Sequence, residues 1–327
     1  MAGITGMGDT YDLPNYTGEL FNITPQDTPL LSAIGGLTGG KSIDSTVWSW
    51  QTEDLRDAAD DRQRVEGADA PTAEARVRGV VRNVVEIHQE ALTVSYTKQA
   101  AIGQIGSNGS SHPYGVAGTG SNPVTDEVNH QLGLHLKQVA RDVEKTFITG
   151  TFNEPSNIST ARRTRGLIDA IDTNVVDGGD TPLTREDVLA AMQEAYDNGG
   201  LMDTETRTLM LGSTQKRALT DEFINSGDGY RFQSSNIAGV NVQQIETDFG
   251  LLNVILNRHV PSDVALILSL EDLSPVFLEV PGKGHFFVEE LAKTGASDKY
   301  QLYGEIGLEY GNERKHAAIV NLGGYSS

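Results

Sequence analysis

The sequence predicts an α+β protein, and three observations predict it. Two β-branched, aromatic-containing runs flank an acidic turn between residues 43 and 97. One long amphipathic helix covers about 125–149. After Gly166, helical and strand patterns alternate. At 327 residues the chain allows about two domains, or one core with long appendages. Hydrophobic residues make up 38%, enough for a sizeable core.

Residues 1–42 read as extended and irregular. Gly3, Gly6, Gly8, Pro14, Pro25, Pro29, Gly35, Gly36, Gly39 and Gly40 break any period. Between them stand Tyr11, Tyr16, Phe21, Leu30 and Leu31, which a solvated tail would lack. With no local element to pack on, these anchors are expected on another surface, such as a second subunit.

Val47, Trp48 and Trp50, interleaved with polar residues, predict a strand over 43–56. Residues 74–97 predict its partner, and the charged stretch between them predicts a tip. A lone two-stranded ribbon is not stable in water, so this one is expected to lie on a neighbour. Trp48 and Trp50 share one strand face and are read as interface anchors, with Asp54 beside them. A short helix is expected at 98–105, followed by a Gly/Ser/Pro-rich loop at 106–123.

Val128, Leu132, Leu136, Val139, Val143 and Phe147 recur every three or four residues, which predicts a helix from Thr125, its N-cap, to Thr149. Its Arg141, Asp142 and Glu144 are candidates for a face turned to a neighbouring subunit, the alternative being local ion pairs on an exposed face. Further on, Thr184 with Asp187 predicts a capped helix that stops at Gly199-Gly200. A helix is expected at 213–223. Strands are expected at 207–211, 240–245, 251–256, 264–268, 285–291, 300–310 and 315–322.

Few constellations carry chemistry. The absence of cysteine removes disulfides, thiolate metal sites and a cysteine nucleophile, and fits a reducing compartment. A net charge of −20 argues against a clamp on nucleic-acid phosphates. The first residues lack a signal-peptide pattern, and no apolar run reaches the roughly 20 residues that cross a bilayer. Gly35–Ser42 matches the phosphate-cradling G-x-x-x-x-G-K-[ST] pattern, which would make a nucleotide-binding enzyme. That motif needs a strand before it and a helix after it. Here a proline-rich stretch precedes and a strand pattern follows, so a glycine-rich turn is the expected reading. The seven histidines and the acids at 53–61 show no metal spacing, and the acidic end of Val264–Asp272 is ordinary for an apolar strand. Arg162, Arg163 and Arg165 read as a surface or interface patch. No catalytic residue, metal or cofactor is expected.

The segments TVWSWQTEDL (46–55), QVARDVEKTFITG (138–150), ARRTRGLIDAI (161–171), AYDNGG (195–200), TDFG (247–250), LNRHVPSD (256–263) and LAKTGASDKYQLYGEIGLEYGNE (291–313) occur in order. Together they resemble the major capsid (head) proteins of tailed bacteriophages with the Hong Kong 97-type fold. The resemblance implies an N-terminal arm at 1–42, an E-loop hairpin at 43–95 and a P domain at 96–175 with its spine helix at 125–149. It further implies an A domain at 176–275, P-domain strands at 276–312 and a C-terminal strand at 313–327 returning to the A domain. It implies pentamers and hexamers closing into an icosahedral virion head around double-stranded DNA, without sequence-specific contacts or a membrane. The implied partners are the chain itself, a portal, a separate scaffolding protein and a cement protein. Two departures matter. No lysine lies between Lys41 and Lys98, so the isopeptide weld some relatives make through the E-loop is not expected. The arm begins almost at Met1, so any scaffold is expected as a separate protein. An encapsulin-like nanocompartment or a tail protein sharing the fold is the structural alternative.

Overall fold

The computed structural model describes residues 27–53, 58, 60, 62–73, 75, 78–100, 127–201, 206–225, 233–237 and 240–325. The elements run α1 (Pro29–Ala33), β1 (Lys41–Ile43), β2 (Val47–Glu53), β3 (Arg78–Val84), β4 (Glu86–Ser95), α2 (Tyr96–Ala100) and α3 (Glu127–Thr149). They continue α4 (Leu167–Ala170), β5 (Val175–Asp177), α5 (Arg185–Asp197), β6 (Arg207–Leu211), α6 (Ser213–Asn225), β7 (Gln233–Ile237), β8 (Val240–Thr247), β9 (Gly250–Leu256) and β10 (Ala265–Ser269). Then come β11 (Ser274–Leu278), β12 (Phe286–Leu291), β13 (Ser297–Glu309) and β14 (Ala317–Val320). Contacts divide the chain into two compact units. The larger holds the described residues of 27–89, 139–287 and 303–327, the smaller those of 90–138 and 288–302.

The larger unit contains a seven-stranded mixed sheet in the order β5-β14-β10-β6-β9-β8-β7. Its central strands β6 and β10 are buried along their whole length, as strands covered on both faces must be. On one face Leu209, Leu211, Ala265, Ile267 and Ile319 pack with Val188, Ala191, Met192 and Ala195 of α5. The start of α5 is the predicted capping box. Thr184 accepts from the Asp187 amide, and the Asp187 carboxylate accepts from the Thr184 amide. Gln215, buried at the start of α6, fastens the C-terminus. It accepts from the Leu183 amide (3.0 Å) and donates to the carbonyls of Ser262 (2.6 Å) and Gly323 (2.9 Å).

A second sheet has the order β1-β11-β13-β12, with β4 also pairing with β13. Strands β2 and β3 form a separate antiparallel ribbon, with Trp48 opposite Asn83 and Trp50 opposite Val81. The return strand is not continuous. It breaks at Val85, which is fully buried and donates to the Thr46 carbonyl (3.1 Å), leaving the line of β3 to begin β4.

The reading of the N-terminal 42 residues as an irregular arm needs correction over its described part. Residues 29–33 form α1, whose Leu30 and Leu31 are 0% and 2% exposed within their own chain. Lys41–Ile43 form β1, parallel to β11. The short helix sits at Tyr96–Ala100 rather than 98–105. Strands β1, β5, β7 and β11 were not expected. Tyr11, Tyr16, Phe21, Asp54, the Thr125 cap and the loop at 106–123 lie outside the described residues.

Candidate interaction surface

Trp48 and Trp50 share a face of β2, as their spacing requires, with ring centroids 6.3 Å apart. Their reading as interface anchors is corrected by what covers them. Trp48 is 9% exposed and packs with Val85 and Val276, its ring against the bare Cα of Gly307. Trp50 donates from Nε1 to the Gly311 carbonyl (2.7 Å) and meets the Tyr310 ring edge to face at 5.0 Å. The base of the ribbon thus shares the core of its own chain, with Trp48 buried in it and Trp50 half-buried beside it.

Below the indoles lies a buried polar junction. Asn83 accepts at Oδ1 from the amides of Val84 (2.9 Å) and Arg165 (2.8 Å). It donates from Nδ2 to the carbonyls of Leu308 (2.7 Å) and Arg165 (3.3 Å). Glu86 accepts from the Thr164 amide (3.1 Å) and pairs with His88 (2.7 Å). The arginine patch is drawn into the same region. Arg162 pairs with Glu305 at 2.6 Å, and Arg165 pairs with Asp169 and lies over the Phe152 ring. The patch is therefore an internal tie for these two arginines, a reading that the charge run alone did not distinguish from a surface.

Glu144 also needs correction. It is 0% exposed and serves its own chain. Its carboxylate accepts from the amides of Leu30 (2.9 Å) and Leu31 (2.6 Å) and from Asn257 Nδ2 (2.6 Å). Burial pushes its pKa above the ordinary value, and these three hydrogen bonds pull it back incompletely. Asp142 on the same helix is exposed and Arg141 half-buried, so both keep an accessible part.

The Gly35–Ser42 motif does not form a phosphate cradle. The chain leaves the turn as β1, with Lys41 opposite Val276, so a strand and not a helix follows the loop. Lys41 Nζ pairs with Glu309 at 2.6 Å on a half-exposed surface. Lys41→Ala is expected to cost about 0.5 kcal/mol or less and to leave thermal stability indifferent to ATP. An ATP-induced rise in melting temperature in the parent chain, lost in Lys41→Ala, would contradict this. Among the described residues, no three acidic or histidine side chains cluster as a metal site. The acids ending Val264–Asp272 are used internally: Glu271 accepts from the Thr206 amide, and Asp272 pairs with Lys315 at 2.8 Å.

Exposed apolar side chains occur in both units, and those of the smaller unit include Leu136 of α3. The apolar stripe of α3 is complete in sequence but unequal in cover. Val139, Val143 and Phe147 are buried at 0–2% exposure. Val128 and Leu132 are only half-buried, and Leu136 is 43% exposed. Elsewhere in this unit, Tyr96 and Val288 are exposed, while Leu92, Leu291 and Tyr300 are half-buried. Of its described apolar residues, Val94 and Leu302 are buried. Three large apolar side chains of this unit thus stay exposed in the single chain, and these make it a candidate for a contact with another copy. The sequence showed the stripe; which half would be covered depended on contacts distant along the chain.

A family model described as SU10 major capsid protein matches residues 3–323 of the chain. The major capsid protein of Escherichia phage Phieco32 is 22% identical over 350 residues, covering 92% of each chain. Among solved structures, the capsid asymmetric unit of cyanophage A-1(L) superposes with a TM-score of 0.67 at 11% identity, covering 97% of this chain and 98% of that one. The SrpI encapsulin complex of Synechococcus elongatus PCC 7942 gives a TM-score of 0.61 at 12% identity, covering 97% and 95%. At such identities these two likenesses speak to the fold alone.

Proposed function

The chain belongs to the SU10 major capsid protein family, and from that premise we propose how its surfaces build the shell. It is a phage major capsid protein with the Hong Kong 97-type α+β fold, and its place is the virion capsid. The uncovered half of the α3 stripe carries the assembly reading. Val128, Leu132 and Leu136, with the apolar side chains around them, are covered by neighbouring copies when subunits join. Burial of apolar area at about 25 cal/mol per Å² drives that contact, and repetition around a closed shell makes it hard to lose. Arg141 and Asp142 flank the same helix and set register at the contact through their charges.

In this reading residues 43–95 act as the E-loop and the seven-stranded sheet is the core of the A domain, which residues 313–327 rejoin. The P domain comprises 96–175 and 276–312. The arm proper is the stretch before α1, since residues 27–43 belong to the body. Tyr11, Tyr16 and Phe21 are its anchors, and Asp54 stands at the start of the E-loop tip. Subunits group as pentamers and hexamers, with a portal, a separate scaffolding protein and a cement protein as partners. The enclosed double-stranded DNA is held without sequence-specific contacts, and the reading assigns the chain no catalytic step.

Electron microscopy of the purified chain tests this, with closed particles or capsomers expected. Leu132→Asp combined with Leu136→Asp is expected to abolish particles while the circular dichroism and monomer sedimentation remain those of a folded chain. Particles that form normally from the double variant would exclude the stripe as an assembly contact. An encapsulin shares the fold, so the contents of particles from the native source separate the two shells: nuclease-protected DNA for a head, an enzyme cargo for a nanocompartment.

A further inference from the structure

We propose that Glu144 is the latch that fastens α1 to the body of its own chain, and that removing its carboxylate frees Pro29–Ala33 while the seven-stranded sheet stays folded. The inference rests on contacts within one chain, independently of the shell reading. Helix α1 has five residues, too few to hold itself in water, and Thr28 supplies no side-chain cap. The first-turn amides that a cap would satisfy belong to Leu30 and Leu31, and each reaches a different oxygen of Glu144. Asn257, just past β9, braces the same carboxylate from the other side. One buried side chain thus joins α3, the β9 end and α1. The exit from α1 is built to turn: Gly35 and Gly36 take φ of 121° and 71°, which side-chain-bearing residues rarely adopt.

Asp27, two residues before α1, is the like charge that acts on Glu144, and Asp27 pairs with Arg258 at 3.3 Å. Burial and, to a smaller extent, Asp27 raise the docked Glu144 above its ordinary 4.5. The Leu31 and Leu30 amides and Asn257 Nδ2 oppose that rise, because each hydrogen bond stabilises the ionised carboxylate.

Hydrogen exchange of the whole chain, read at Leu30 and Leu31, tests the latch. Glu144→Ala and Glu144→Leu, the second filling the space without an acceptor, are expected to speed exchange at these amides at least about tenfold. Amides of β6 and β10 keep their protection. Chymotrypsin then cuts between residues 30 and 37, a stretch trypsin cannot enter because no lysine or arginine precedes Lys41. Glu144→Gln, which keeps one acceptor oxygen for the two amides, is expected to speed exchange less than alanine or leucine does. Unchanged exchange in both Ala and Leu variants overturns the latch. So does loss of protection throughout the sheet, or the absence of soluble chain from both, since Glu144 would then be a core group.

Discussion

Asn83→Ala is expected to destabilise the chain by about 3–5 kcal/mol, because it strands several buried polar groups at once. Asn83 is 0% exposed, and all four of its hydrogen bonds go to backbone groups. Alanine leaves the Arg165 and Val84 amides without their acceptor and the Leu308 carbonyl without its donor. Each buried group so stranded costs about 1–3 kcal/mol, and water has little room to substitute. The loss should be read by denaturant unfolding of unassembled chain, with tryptophan emission as the probe, since Trp48 lies directly opposite Asn83 in the ribbon. A shift below about 1 kcal/mol would mean that the junction does not hold the ribbon. Asn83→Asp is expected to be no rescue. It keeps the acceptor but loses the Nδ2 donor and places a charge in a buried site.

Gly307→Val is expected to be of similar size or larger, for a steric reason. A Cβ at Gly307 would stand 2.3 Å from Trp48 Cη2 and 3.0 Å from the Val84 carbonyl oxygen. Gly307 is held opposite Val276 by strand pairing, so the backbone cannot retreat without breaking β11 from β13. Overpacking a rigid core costs about 1–3 kcal/mol for a small excess, and two further methyls add to it. The indole must leave its place, which predicts a red-shifted emission and a lower melting temperature. Trp48→Leu on the same background should recover part of the loss, because leucine clears the collision. If the double variant is no more stable than additive single effects predict, Trp48 is not the group that glycine accommodates.

These two residues also show where reading the sequence stops. The capping box of Thr184 and Asp187 was legible because both partners lie within one turn. The length and stripe of α3, and the turn at Gly35–Gly40 running into a strand, were legible for the same reason. The ribbon was legible as two strands. Its support was not, because the cover for Trp48 comes from β11 and β13, more than two hundred residues away. Strand β11 itself was hidden by Pro275, which argues against a central strand. The structure accommodates it because β1 pairs only from Val276 onward, leaving the proline beyond the edge of that partner. Trp50, read as an anchor for a neighbour, found its acceptor at Gly311.

By itself the sequence determined the local elements, the acidic charge, the absence of cysteine and the presence of apolar faces in need of cover. Only the tertiary structure decided which of those faces the chain covers itself. Glu144 illustrates the division: its charge suggested a contact outward, yet its partners are amides 113 and 114 residues earlier in the chain. Periodicity reports a side chain's direction from its own helix or strand, which local backbone geometry sets. What meets that side chain is set by long-range packing, and for α3 that packing buries one half of the stripe and leaves the other open.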